Sequence, residues 1–181
     1  MNAIVPLAVD AAAIGQFVSA LFRYADPDSF VSLRTFAEGG GGAHSIEAHA
    51  IGDSLHGLAN AATRHAQRAA RAADPSVFAP PVATFRTSGK ADEANLANGL
   101  TLSVECDATP DAARARLESL LGPATVAVAS GGEWINPATG EITPKLHLHW
   151  RLNEPTTEPA DHARLKVSLR RRPPTFSVRS D

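Results

Sequence analysis

Two short stretches of this 181-residue chain carry side chains spaced for chemistry. In 100–107, read as a strand, Leu100, Leu102, Val104 and Cys106 alternate with Thr101, Ser103, Glu105 and Asp107, so the two carboxylates share a face. At i and i+2 their Cα atoms lie about 7 Å apart by strand rise. Such a pair can chelate one divalent cation or bridge two in a phosphoryl-transfer site; it can also be the solvated acidic end of an edge strand. In 145–152, Leu146, Leu148, Trp150 and Leu152 form a core face, and Lys145, His147, His149 and Arg151 line the opposite one. Nothing local offsets this row of cations, which points to a metal held by the imidazoles or a triphosphate held by the whole set. The polar outer face of an antiparallel strand is the plain alternative.

Elements on either side must position these two strands. Asp10 is a helix N-cap, and Ile14, Phe17, Val18, Leu21 and Phe22 form an apolar stripe that predicts a helix to Tyr24. Phe30 to Phe36 alternates as a strand does. Gly39 to Gly42 reads as a plain loop, because no Gly-Lys-Ser/Thr follows it. An Ala-rich helix is expected over 52–73, and 78–85, with Pro80-Pro81, as an irregular edge segment. Thr109-Pro110-Asp111 supplies N-cap, first-turn proline and first-turn acid for a helix that stops at Gly122-Pro123. Thr125 to Ser130 is a strand, the turn at 136–140 closes a hairpin, and Asp161 to Leu169 is a short helix. His44, His49, His56, His65 and His162 read as surface residues. The pattern gives an α+β fold: a mixed or antiparallel sheet with helices packed on it, one α/β domain over 1–169 and a basic, irregular tail over 170–181.

Composition narrows the setting. Hydrophobic residues make up 44% and aromatics 6%, so the core must be built from Leu, Val, Ile and Ala. The net charge of −2 gives no global field for nucleic acid or membrane, although Arg164, Lys166, Arg170, Arg171, Arg172 and Arg179 crowd one end. The lone Cys106 excludes an internal disulfide framework and fits a reducing compartment. With no basic n-region at the start and no apolar run of membrane length, the expectation is a cytoplasmic protein with no membrane partner.

Taken in order, Glu105-Cys106-Asp107, Ser130-Gly131-Gly132 and Lys145-Leu146-His147-Leu148-His149-Trp150 resemble motifs of the archaeo-eukaryotic primase superfamily. The likeness is to its RepB-like group, the primase domains of plasmid and phage replication proteins, and runs over residues 14–166. It implies a primase–polymerase (RRM-like) catalytic core acting as a nucleotidyltransferase in DNA replication. Glu105 and Asp107 would bind Mg²⁺ or Mn²⁺, and His147 would contact the incoming nucleotide's phosphate. Ser130 would support the nucleotide and His149 and Arg151 the nucleotide or the template, while Lys145, where the family often has a small residue, would add a phosphate contact or obstruct one. The implied reaction is attack of a primer 3′-hydroxyl on the α-phosphate. The implied partners are a single-stranded DNA template, nucleoside triphosphates and a replicative helicase. Glu105 stands where Asp is commoner, which lengthens one ligand by a methylene. A third family carboxylate, on a later strand, has no counterpart before the chain ends at Asp181. The expectation is thus a C-terminally truncated or diverged member with impaired polymerisation.

Two other readings compete. Gly140, His147, His149 and Glu154 approach the metal-binding pattern of cupins, although Pro155 is expected to break the strand and no second motif follows. A non-catalytic nucleic-acid-binding module would use the basic face of 145–151 and the C-terminal arginines.

Overall fold

The computed structural model describes residues 8–37, 41–52, 54–72, 76–79 and 82–171. The fold is α+β, with antiparallel strand pairing, and the chain divides into two compact units, residues 1–99 and 100–181.

The first unit begins with helix α1, Ala11–Phe22, whose N-terminus is capped by Asp10: its carboxylate accepts from the Ala13 amide at 2.9 Å. Strand β1, Phe30–Ala37, is the expected strand; it buries Val31, Leu33 and Thr35 and turns Phe30, Ser32, Arg34 and Phe36 outward. Strand β2, Ala43–Ala50, pairs antiparallel with β1 from Phe30↔Ala50 to Phe36↔Ala43. Local sequence does not signal β2, because Ile46 is its one large apolar side chain and points outward. Of the glycine run before it, Gly39 and Gly40 lie outside the described residues. Helix α2, Leu55–Ala70, packs Leu58, Ala61, Ala62, His65 and Ala69 inward, against α1 and β1. His65 is therefore a core residue and not a surface one. The 78–85 segment is two short strands, β3 (Ser76–Ala79) and β4 (Ala83–Phe85), both paired with β1. The prolines between them lie outside the described residues. Strand β5, Leu96–Cys106, starts here, pairing with β4 at Ala83↔Gly99.

The second unit takes β5 from Leu100 onward, then helix α3 (Pro110–Leu121), strands β6 (Val126–Ile135) and β7 (Ile142–Thr156), and helix α4 (Pro159–Arg171). β6 and β7 form the expected hairpin, in register from Val126↔His149 to Ile135↔Ile142, and β7 runs beside β5. One face carries the core: Leu102, Cys106, Leu121, Leu148 and Trp150, with Leu117 of α3 and Leu165 of α4 packed against it. Trp150 anchors the end of α3, its indole N–H donating to the Gly122 carbonyl at 2.9 Å. Gly122 leaves the helix at φ 79°, a backbone angle that suits glycine.

Three local expectations need correction. Thr109 occupies the N-cap position of α3 but makes no capping hydrogen bond, because its backbone is left-handed at φ 44°. Pro155 does not break β7, which continues to Thr156. Helix α4 extends through Arg170 and Arg171, while residues 172–181 of the expected tail lie outside the described residues.

Candidate functional site

The candidate site lies within the second unit, on the sheet face opposite its core. Three cross-strand contacts define it. Ser103 Oγ meets His149 Nδ1 at 2.9 Å, Glu105 Oε1 meets His147 Nε2 at 4.0 Å, and Asp107 Oδ1 meets Lys145 Nζ at 3.6 Å. Each step of two residues forward on β5 goes with two backward on β7, the register of antiparallel neighbours. Alternation supplies the residues of each strand. The register joins them into one ladder, and Ser103 is the member that sequence reasoning does not single out as functional.

This ladder changes the charge balance suggested by β7 alone. Two members of the row are offset locally: β5 places Asp107 opposite Lys145 and Glu105 opposite His147, which is a cation only when protonated. His149 removes itself from the row differently. Its side chain is buried, with 3% of its surface exposed, and burial, then the neighbouring His147, lowers its pKa to about 4. It is a neutral imidazole at physiological pH, locked to Ser103 beneath the ladder's exposed end. Arg151 follows on the same face, and its backbone amide donates to Thr125 Oγ1 at 3.0 Å. On the core side, burial pushes the Cys106 thiol up, so it stays protonated and inert.

The Ser-Gly-Gly stretch borders the site through a bulge. The β6–β7 register shifts between Ala129 and Glu133, and Gly131 takes φ 85° within that shift. Ser130 Oγ reaches the Lys145 carbonyl at 3.4 Å. A Cβ on Gly132 would stand 3.0 Å from Lys145 Cδ, so the glycine leaves room for the lysine stem to cross. Glycine here sets the path of Lys145, whatever else the stretch contacts.

The donor set suits a hard divalent cation that shares its coordination with a substrate. Mg²⁺ is commonly held by one or two carboxylates, with water and substrate phosphates completing the octahedron. Glu105 and Asp107 present mostly exposed side chains for that role, and Lys145 is the counter-ion such a cation would displace from Asp107. No group of three His, Cys, Asp or Glu side chains is gathered as a ready metal cage among the described residues. Asp161 cannot serve as a third carboxylate here: it sits on α4, paired with Arg164 Nη2 at 2.8 Å. The cupin set is not assembled either, since Glu154 falls on the opposite strand parity from His147 and His149 and helices cover the core face.

A second polar cluster belongs to the first unit. Arg68 Nη2 donates to Glu47 Oε2 at 2.6 Å and lies 2.9 Å from Nδ1 of the fully buried His65. Since a guanidinium only donates, Nδ1 accepts and the ring is neutral, with Nε2 carrying the proton. Desolvation lowers the His65 pKa in the same sense, and the Arg68 bond lowers that of Glu47. This cluster ties α2 to β2.

No helix among the described residues is long and apolar enough to cross a membrane. Protein-family models, curated proteins and solved structures give no match to this chain.

Proposed function

We propose that the second unit is the nucleotide-binding centre of a primase–polymerase-like nucleotidyltransferase, which extends a primer on single-stranded DNA. The observation that carries the reading is the ladder: an acid-x-acid pair on one strand, set in register against Lys145 and His147 on the next. Glu105 and Asp107 hold Mg²⁺ or Mn²⁺, which supplies charge neutralisation at the phosphoryl oxygens. His147 and Lys145 donate to the triphosphate. Each already faces a carboxylate, so binding exchanges one anionic partner for another without building a new charge. His149 acts as a positioning residue, bracing β7 against Ser103 so that His147 projects at a fixed height. Ser130 and Arg151 flank the lysine and the far end of the row.

A second reading has its own support. The ladder neutralises itself through Lys145 and lacks a third gathered carboxylate among the described residues, as a binding module without catalysis would. One experiment separates the two. Titration of a labelled nucleoside triphosphate, with and without Mn²⁺, should show Mn²⁺-dependent binding that Asp107→Asn abolishes. Primer extension then tests the transfer step. Absence of nucleotide binding under both conditions defeats the polymerase reading; oligonucleotide binding that Lys145→Ala or Arg151→Ala weakens then leaves the binding module.

A further inference from the structure

The first unit carries a surface that the ladder does not use. Its helices cover one side of β1, where Val31, Leu33 and Thr35 are buried, and Phe30, Ser32, Arg34 and Phe36 on the opposite side are half-exposed. The register Phe30↔Phe85 sets two aromatic side chains side by side on that face, and Arg34↔Ile46 adds a guanidinium next to an exposed aliphatic. With the 87–91 segment and its Lys90, they line a groove of about 80 Å³.

Three features identify the occupant. At this size the open groove does not enclose a nucleotide, and it suits a partner that lies across it as an extended chain. Its lining holds two cations, Arg34 and Lys90, and no carboxylate. Arg34 is held in a fixed orientation by neutral groups: Nε donates to Ser32 Oγ at 3.0 Å and Nη2 to the Ala91 carbonyl at 2.9 Å. A positive, aromatic sheet face complements a strand of phosphates with exposed bases. We propose that this face binds single-stranded nucleic acid, with bases stacked on Phe30 and Phe85 and phosphates drawn to Arg34 and Lys90. The inference rests on the primase-type reading only for calling that strand a template.

The test is fluorescence anisotropy with a labelled twelve-residue oligo-dT, in EDTA so that no divalent cation contributes. The wild-type chain binds it, and Phe30→Ala or Phe85→Ala weakens binding by about tenfold, as loss of one base–aromatic stack does. Phe85→Tyr, which keeps a π-face, restores the affinity. Phe85→Leu, which keeps apolar bulk without one, does not, and so separates stacking from folding. Lys90→Ala lowers the slope of log K against log salt by about 0.7. A duplex of the same length binds more weakly, because its bases are already stacked. Equal affinity for the duplex, or alanine and leucine variants that bind like wild type, overturns the proposal. Asp107→Asn, which removes nucleotide binding under the primase-type reading, leaves this binding unchanged, so the two proposals fail separately.

Discussion

Replacing His149 by asparagine should remove a pH-dependent instability of the second unit. In the folded chain burial holds the imidazole near a pKa of about 4, against 6.5 when exposed. The unfolded chain therefore binds a proton at pH values where the folded chain does not. Stability from this group is fully present above the unfolded value and is lost as pH falls from about 6.5 toward 4. Linkage gives a loss of about 2 kcal/mol between about pH 7.5 and pH 5, rising to about 3 kcal/mol near the folded pKa. The His149→Asn variant keeps a polar group beside Ser103 but cannot titrate there, so it loses stability by a constant amount and its pH profile flattens. Both tryptophans, Trp134 and Trp150, lie in the second unit. Urea denaturation followed by tryptophan fluorescence reports on that unit, and comparing the variant with wild type cancels the contribution of His65, whose depressed pKa acts in the same direction. If wild type and His149→Asn lose stability in parallel between these pH values, burial of His149 is not what sets its charge, and the imidazole is no neutral brace beneath the ladder.

Two further substitutions probe the turn and the bulge beside the site. Thr109→Gly should raise the melting temperature, by about 1 kcal/mol of stability, because a β-branched residue is strained at φ 44° and glycine is not; an unchanged or lowered melting point would show that the threonine side chain makes a compensating contact. Gly132→Ala should leave the fold intact, since the atom it meets at 3.0 Å belongs to the flexible Lys145 stem. The displaced ammonium should then weaken nucleoside-triphosphate binding several-fold, and unchanged affinity would mean that Lys145 does not touch the phosphates.

Strands are legible in the sequence where one face is buried and the other is not. β5 from Leu100 and β7 from Lys145 alternate large apolar residues with polar ones, and period-2 burial leaves no other register. β1 alternates too, but with Phe30 and Phe36 on its outward face, so its sequence does not say which face is buried. β2 is hidden because nothing in Ala43–Ala50 demands burial; its pairing with β1 orders it, a partner that local sequence does not name. His65 is misread as a surface residue for a related reason. Leu58, Ala61, Ala62, His65 and Ala69 follow helical spacing, so the imidazole sits in an inward stripe of small residues that lets α2 approach the strands and leaves room for a ring. The stripe places the histidine inside; its polarity alone places it outside.

The candidate site shows the same division at the level of charge. Each strand announces its own half: two acids on β5, two imidazoles and two cations on β7. What neither half can reveal is that the halves face one another. A row of like charges on one strand looks like a demand for an external anion, and a triphosphate is the natural expectation on that ground. With Asp107 and Glu105 across from Lys145 and His147, the demand of those two is met within the sheet before any ligand arrives. Ligand binding at such a site is an exchange: phosphate must take the cations while a divalent ion takes the acids. Each half alone strips a partner from a charge, at a modest cost because these pairs are largely exposed. Nucleotide and metal should therefore bind with positive coupling, each tightening the other by the same factor. Titrating the nucleotide at several Mn²⁺ concentrations, and Mn²⁺ at several nucleotide concentrations, measures both factors; independent binding of the two would show that the ladder does not open to admit them together.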